Sequence, residues 1–161
     1  ADIFAMAKQN NIPYTIHAGE ADGPESIRKA IEFGTKRIGH GIRCIEDKGL
    51  MQEIREKGIT LEVCPTSNIQ TQAVEGEHPL EKLYRSGILT TINTDNDTVS
   101  NTNIEQEYEW VLRDTGLTYS DLVQMNINAA RAIFNSVQTK ASLVSEINRQ
   151  KDNRDSERSS T

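Results

Sequence analysis

Short runs rich in β-branched residues alternate along the chain with stretches in which apolar residues recur every three or four positions. Pro13-Tyr14-Thr15-Ile16-His17 is the first such run and predicts a strand. Pro24 then opens a helix with Ile27, Ala30, Ile31 and Phe33 on one face, and Gly34 closes it. Proline just inside the start and glycine just past the end is the usual asymmetry of helix termini. Arg37-Ile38-Gly39-His40 reads as a very short second strand. Leu50, Met51 and Ile54 predict a helix from about Glu46 to Lys57, with Gly58 as its cap. Ile59 to Val63 is the third strand, stopped by Pro65. A helix starting near Pro79 carries Leu80, Leu83 and Tyr84 and ends at Gly87. Ile88 to Asn93 is the fourth strand, and helices are expected over about Asn103 to Asp114 and Ser120 to Asn135. Ahead of all this, Ala1 to Lys8 reads as the end of an amphipathic helix.

The order is therefore β-α repeated four times, with connections too long for hairpins, which predicts a parallel sheet and an α/β fold. Four βα units plus terminal helices are half of a (β/α)8 barrel, a fold that typically needs ~250 residues. No initiator Met precedes the first helix. We expect residues 1–138 to be the C-terminal half of such a TIM barrel. Residues 139–161 are polar and highly charged, and form either a frayed helix or a disordered tail.

Composition narrows the function. The chain has 161 residues and a net charge of −6, so clustered cations for a nucleic-acid backbone are not its character. No apolar run approaches the ~20 residues that would cross a bilayer, and no signal-peptide pattern opens the chain. Two cysteines, Cys44 and Cys64, are too few for a disulfide scaffold and read as reduced thiols of a cytoplasmic protein.

Parallel strands carry their chemistry at their C-terminal ends. There the chain places His17 with Glu20, then His40, then Cys64 with Ser67 and Asn68, then Asp95 with Asn96 and Asp97. Taken singly, each set also reads as an ordinary turn: a half-buried His with a solvated Glu, a tight Gly-His-Gly corner, an Asx-rich loop. Taken together they fit one scheme. His and Asp can hold a metal, a carboxyl group can shuttle a proton, and a second His can assist the attacking water. His78, before Pro79 at a helix start, reads as structural, and Ser67 lacks a His-Asp partner set for nucleophilic work.

The segments Thr15-Ile-His-Ala-Gly-Glu20, Arg37-Ile-Gly-His-Gly41, Leu61-Glu-Val-Cys-Pro-Thr-Ser-Asn-Ile-Gln-Thr71, His78-Pro-Leu80 and Thr91-Ile-Asn-Thr-Asp-Asn96 occur in this order. In these the chain resembles the adenosine deaminases, zinc-dependent barrel enzymes of purine salvage, over residues 1 to about 135. The Asp-Asn pair and Thr98 to Thr102 look like bacterial members. The resemblance implies Zn2+ as cofactor, with His17 and Asp95 as ligands. It implies that Glu20 donates a proton to purine N1 as hydroxide adds to C6, that His40 orients and helps activate the attacking water, and that Gly19 lets the backbone approach the substrate. The small-molecule substrate would be adenosine or 2′-deoxyadenosine, converted to inosine or deoxyinosine and ammonia. Many members carry a second Asp where this chain has Asn96, at the position that bonds purine N7. An Asn amide donates to that acceptor without needing a proton, so the change is compatible with binding.

The His-x-His motif from which the family takes two further zinc ligands does not occur; His17, His40 and His78 are the only histidines. A catalytic zinc site normally needs three protein ligands. We therefore expect residues 1–161 alone to bind zinc weakly and to show little activity, with the missing N-terminal half of the barrel as a partner. Two alternatives stay open: an adenine deaminase of the same superfamily, and a non-catalytic half barrel that serves as a binding or oligomerising module.

Overall fold

A computed structural model describes residues 2–158. Strands β1 (Thr15–Ala18), β2 (Arg37–His40), β3 (Thr60–Val63) and β4 (Leu89–Ile92) form one sheet in that order, every pairing parallel. Register fixes the two faces, because side chains alternate along a strand. Ile16, Ile38, Leu61 and Thr90 stand in one row. That face carries much of the apolar core, with Ile38 and Leu61 fully buried. The row of His17, Gly39, Glu62 and Thr91 lies on the other face. Here Arg37 Nε donates to Glu62 Oε1 at 2.6 Å and Thr15 Oγ1 donates to Glu62 Oε2 at 2.8 Å. One face is thus apolar, and the other is lined by paired polar groups.

Helices complete the apolar side. After α1 (Asp2–Gln9), α2 (Pro24–Glu32) buries Ile27, Ala30 and Ile31, and α3 (Lys48–Glu56) buries Leu50 and Ile54. After β3, α4 (Pro65–Gln70) and α5 (Leu80–Arg85) follow, and Leu80 and Leu83 join the same core. After β4 come α6 (Asp97–Ser100), α7 (Ile104–Asp114), α8 (Tyr119–Ala132) and α9 (Val137–Arg158). This is the α/β arrangement that the pattern predicts, with half the strands of a (β/α)8 barrel.

Three details refine it. The helix expected from about Glu46 is α3, which Asp47 caps by accepting the Leu50 N–H at 3.0 Å, and an unexpected 3-10 turn over Ile42–Glu46 precedes it. Pro65 does more than stop β3. It is the first residue of α4, where its missing N–H would have no helical partner anyway. Of the two forms expected for the polar tail, a helix is present from Val137 to Arg158, and the tail's last three residues, 159–161, lie outside the described residues.

Candidate active site

The loops after the four strands converge, and each brings one part of the site. After β1 the chain turns at Gly19, whose φ is +68°. A Cβ there would lie 2.3 Å from Ile27 Cδ1, so only glycine lets this loop cross the first turns of α2. The Gly19 N–H donates to Ser26 Oγ at 2.9 Å, which pins the turn, and Glu20 follows at the rim.

His40 ends β2 with φ +63° and is fully buried. Its Nδ1 lies 2.9 Å from Asn68 Nδ2. Its Nε2 lies 3.3 Å from Glu20 Oε2 without the alignment of a hydrogen bond, and is left a buried polar atom with no bonding partner. The other carboxylate oxygen, Glu20 Oε1, accepts from Thr71 Oγ1 at 3.2 Å. Burial pushes the His40 pKa below its ordinary value; the Glu20 carboxylate opposes the shift and His17 adds to it.

His17, on β1, meets the His40 ring edge-on with centroids 5.0 Å apart. The neighbouring position on β2 is Gly39, and a Cβ there would sit 2.8 Å from His17 Cδ2. The glycine is therefore what allows the imidazole to lie across the second strand. Among the described residues, one group of ligand-bearing side chains gathers tightly enough for a cation: His17, Glu20 and His40, with ligand atoms within 4.8 Å of one another. Imidazole nitrogens with a carboxylate suit zinc. The His17 imidazole and the neighbouring carboxylate are donors of the kind that fits that metal.

Asp95 arrives from the far side of the sheet. It follows β4 with φ +57°, and its Oδ2 accepts from Ser67 Oγ at 2.7 Å. It lines a cavity of about 280 Å³ together with His17, His40, Glu62 and Cys64. The expected pair His17 and Asp95 thus shares one cavity, although Asp95 stands outside the tight group of three. Asn96 caps α6: its Oδ1 accepts the Val99 N–H at 2.9 Å. Asp97 turns back on its own helix and accepts from Thr98 N at 2.8 Å.

Ser67 and Asn68, which the sequence places at the rim without a role, here bond Asp95 and His40. Thr71, just beyond α4, is the contributor that the sequence did not place at the rim, and reading Pro65 as a helix start would have aimed it there. Cys64 is a buried thiol, pushed up to about 12 by burial first, then by the surrounding carboxylates. His78 is local structure: Nδ1 accepts the Leu80 N–H at 3.2 Å, the ring meets Trp110 edge-on at 5.2 Å, and burial lowers its pKa to about 4.

Comparison with known proteins gives the chain's family and fold. Residues 1–150 match the model of the adenosine deaminase family. An adenosine deaminase of Haemophilus ducreyi is 44% identical over 146 residues, which are 89% of this chain and 42% of that protein. An adenine deaminase of Arthrobacter aurescens superposes with a TM-score of 0.88 at 26% identity, over 92% of this chain and 46% of that one. An amidohydrolase of Burkholderia ambifaria, solved with bound Zn, superposes with a TM-score of 0.84 at 23% identity, over 94% of this chain and 45% of that one. The chain spans less than half the length of the relatives it matches.

Proposed function

The chain belongs to the adenosine deaminase family, and from that premise we propose that it supplies half of a zinc-dependent site that deaminates adenosine or 2′-deoxyadenosine by hydrolysis. The carrying observation is the buried, unpartnered His40 Nε2 beside Glu20, with His17 in the same 4.8 Å group at the C-terminal rim of a parallel sheet. His17 and Asp95 would hold the metal, with further ligands from outside this chain. Zinc bound there supplies the Lewis acidity that makes water a nucleophile near neutral pH.

The chain's own residues do the rest. Glu20, held by Thr71, delivers a proton to purine N1 as the C6–O bond forms, which removes the negative charge that would otherwise build on the ring. His40 orients the attacking water through Nε2. Gly19, without a side chain, lets the backbone approach the purine. Asn96 has its oxygen engaged by Val99 N–H, so its amide is turned to donate, as an acceptor such as N7 requires. The proton of the added hydroxyl then passes to the amino nitrogen, the C6–N bond breaks as the C6 carbonyl forms, and ammonia leaves. Adenosine is favoured over adenine as substrate because the 44% identical relative is an adenosine deaminase, whereas the adenine deaminase likeness is at 26%.

His17 lies on edge strand β1 and Asp95 follows edge strand β4, and both are exposed. This supports a chain that alone holds zinc weakly and shows little turnover. The test is an ultraviolet assay of adenosine against adenine. It compares the chain with added zinc to a chimera in which the part of the Haemophilus ducreyi enzyme that this chain does not match is joined to it. We expect turnover of adenosine by the chimera and almost none by the chain alone. A folded, zinc-loaded chimera that leaves adenosine unchanged would sink the reading. Preference for adenine would replace it with the second deaminase activity.

A further inference from the structure

We propose that Asn68 is a positioning residue that fixes the tautomer of His40, so that the ring presents an N–H, and not a lone pair, to the catalytic cleft. The catalytic consequence rests on the deaminase reading; the tautomer itself does not. Asn68 is fully buried on α4, the six-residue helix that Pro65 starts directly after β3. Its backbone N–H is engaged by Cys64 O at 2.9 Å, so the residue is held in the helix and its side chain is aimed by the backbone. The amide nitrogen, Nδ2, faces His40 Nδ1 at 2.9 Å. An amide nitrogen only donates, and a neutral imidazole has one donor and one acceptor nitrogen. Nδ1 must then be the acceptor, which leaves the single ring proton on Nε2, the buried atom without a bonding partner.

This constrains the chemistry. A neutral ring that carries its proton on Nε2 can donate to the attacking oxygen and hold it in line, but it has no lone pair there to take that oxygen's proton. The proton shed by water has Glu20 as its acceptor, since Oε2 lies 3.3 Å from Nε2 at the same mouth. Glu20 then passes the same proton to N1 while the C6–O bond forms. One carboxylate serves as base and then as acid, the ring neither gains nor loses a proton, and the count balances.

The experiment is nitrogen NMR of the 15N-labelled, zinc-free chain at a pH above the histidine range, reading which ring nitrogen of each histidine carries hydrogen. We expect His40 in the Nε2–H form, with a nitrogen–nitrogen coupling across the hydrogen bond to the Asn68 side chain. His78 is the internal control: Leu80 N–H donates to its Nδ1 and holds it in the same form in every variant, reporting an intact fold. In Asn68→Asp the carboxylate only accepts, so Nδ1 of His40 becomes protonated. A wild-type spectrum with hydrogen on His40 Nδ1 and no coupling to Asn68 overturns the proposal, and so does a folded Asn68→Asp whose His40 is unchanged. Should that variant not fold, the wild-type spectrum decides alone. Neither zinc nor substrate is needed, so a failed adenosine assay would remove the deaminase reading and leave this result standing.

Discussion

His40 and His78 are both buried, both accept an N–H at Nδ1, and both leave Nε2 without a bonding partner. Their surroundings separate them. His78 sits between α5 and α7 with its ring against Trp110, and burial alone lowers its pKa. His40 stands at a strand end where Glu20, His17, Asp95 and Glu62 all act on its charge. Burial of an imidazole is therefore not what marks a site. The mark is a free nitrogen that faces other titratable groups across a cavity, because only there does a proton have somewhere to go.

The widest separation between the two histidines should appear in turnover. In the chimera, His40→Gln is expected to lower kcat/KM by about 10² to 10⁴, the range of a positioned proton-handling or hydrogen-bonding group. His78→Phe keeps an aromatic edge against Trp110 and is expected to stay within roughly three-fold of wild type, because it touches none of the reacting groups. Equal losses from both substitutions would mean that His40 acts only through the fold, and the contrast would collapse.

A smaller effect separates the rim's scaffold from its exposed ligands. Gly19→Ala drives a Cβ into Ile27, a fully buried side chain, at a backbone φ of +68°. Overpacking and left-handed strain together are expected to remove about 2–4 kcal/mol from the unfolding free energy. His17→Ala, at an exposed position on an edge strand, should change it by less than about 0.5 kcal/mol while weakening zinc binding. Urea unfolding of the zinc-free chain measures both. A His17→Ala loss as large as that of Gly19→Ala would show that His17 is a packing residue.

Much of the fold was legible because periodicity, Pro and Gly are local signals. Pro24 and Gly34 bracket α2, and the alternation around Ile38 and Leu61 marks strands whose apolar row faces the helices. The site was legible in part. His17, Glu20, His40 and Asp95 stand at strand ends, where a rule about parallel sheets finds them. Asn68 was not assigned, because its role depends on a 2.9 Å contact to a residue 28 positions away, which no local pattern encodes. The 3-10 turn ahead of Asp47 was missed for a related reason. A helix cap is a hydrogen bond, and Glu46 and Asp47 look alike until one of them is seen to accept from Leu50 N.

The smallest effect isolates burial itself. His78 has an ordinary pKa of 6.5 when unfolded and about 4 when folded. Between these values the unfolded chain binds more protons, so stability rises with pH and is lost as pH falls from the upper value toward the lower. Between about pH 7 and about pH 5 this loss should amount to about 2 kcal/mol from His78. His40 is also lowered by burial and contributes in the same direction, whereas the nearby Glu20 works against its shift. Replacing His78 with Phe should remove most of the His78 part of the pH dependence and retain the part from His40, read as the difference in urea midpoints at the two pH values. If His78→Phe loses as much stability on acidification as wild type, the His78 ring is not buried neutral. The environment of Trp110 would then have to be polar enough to hold a charge, and the physical distinction between the two histidines would fail at its structural end.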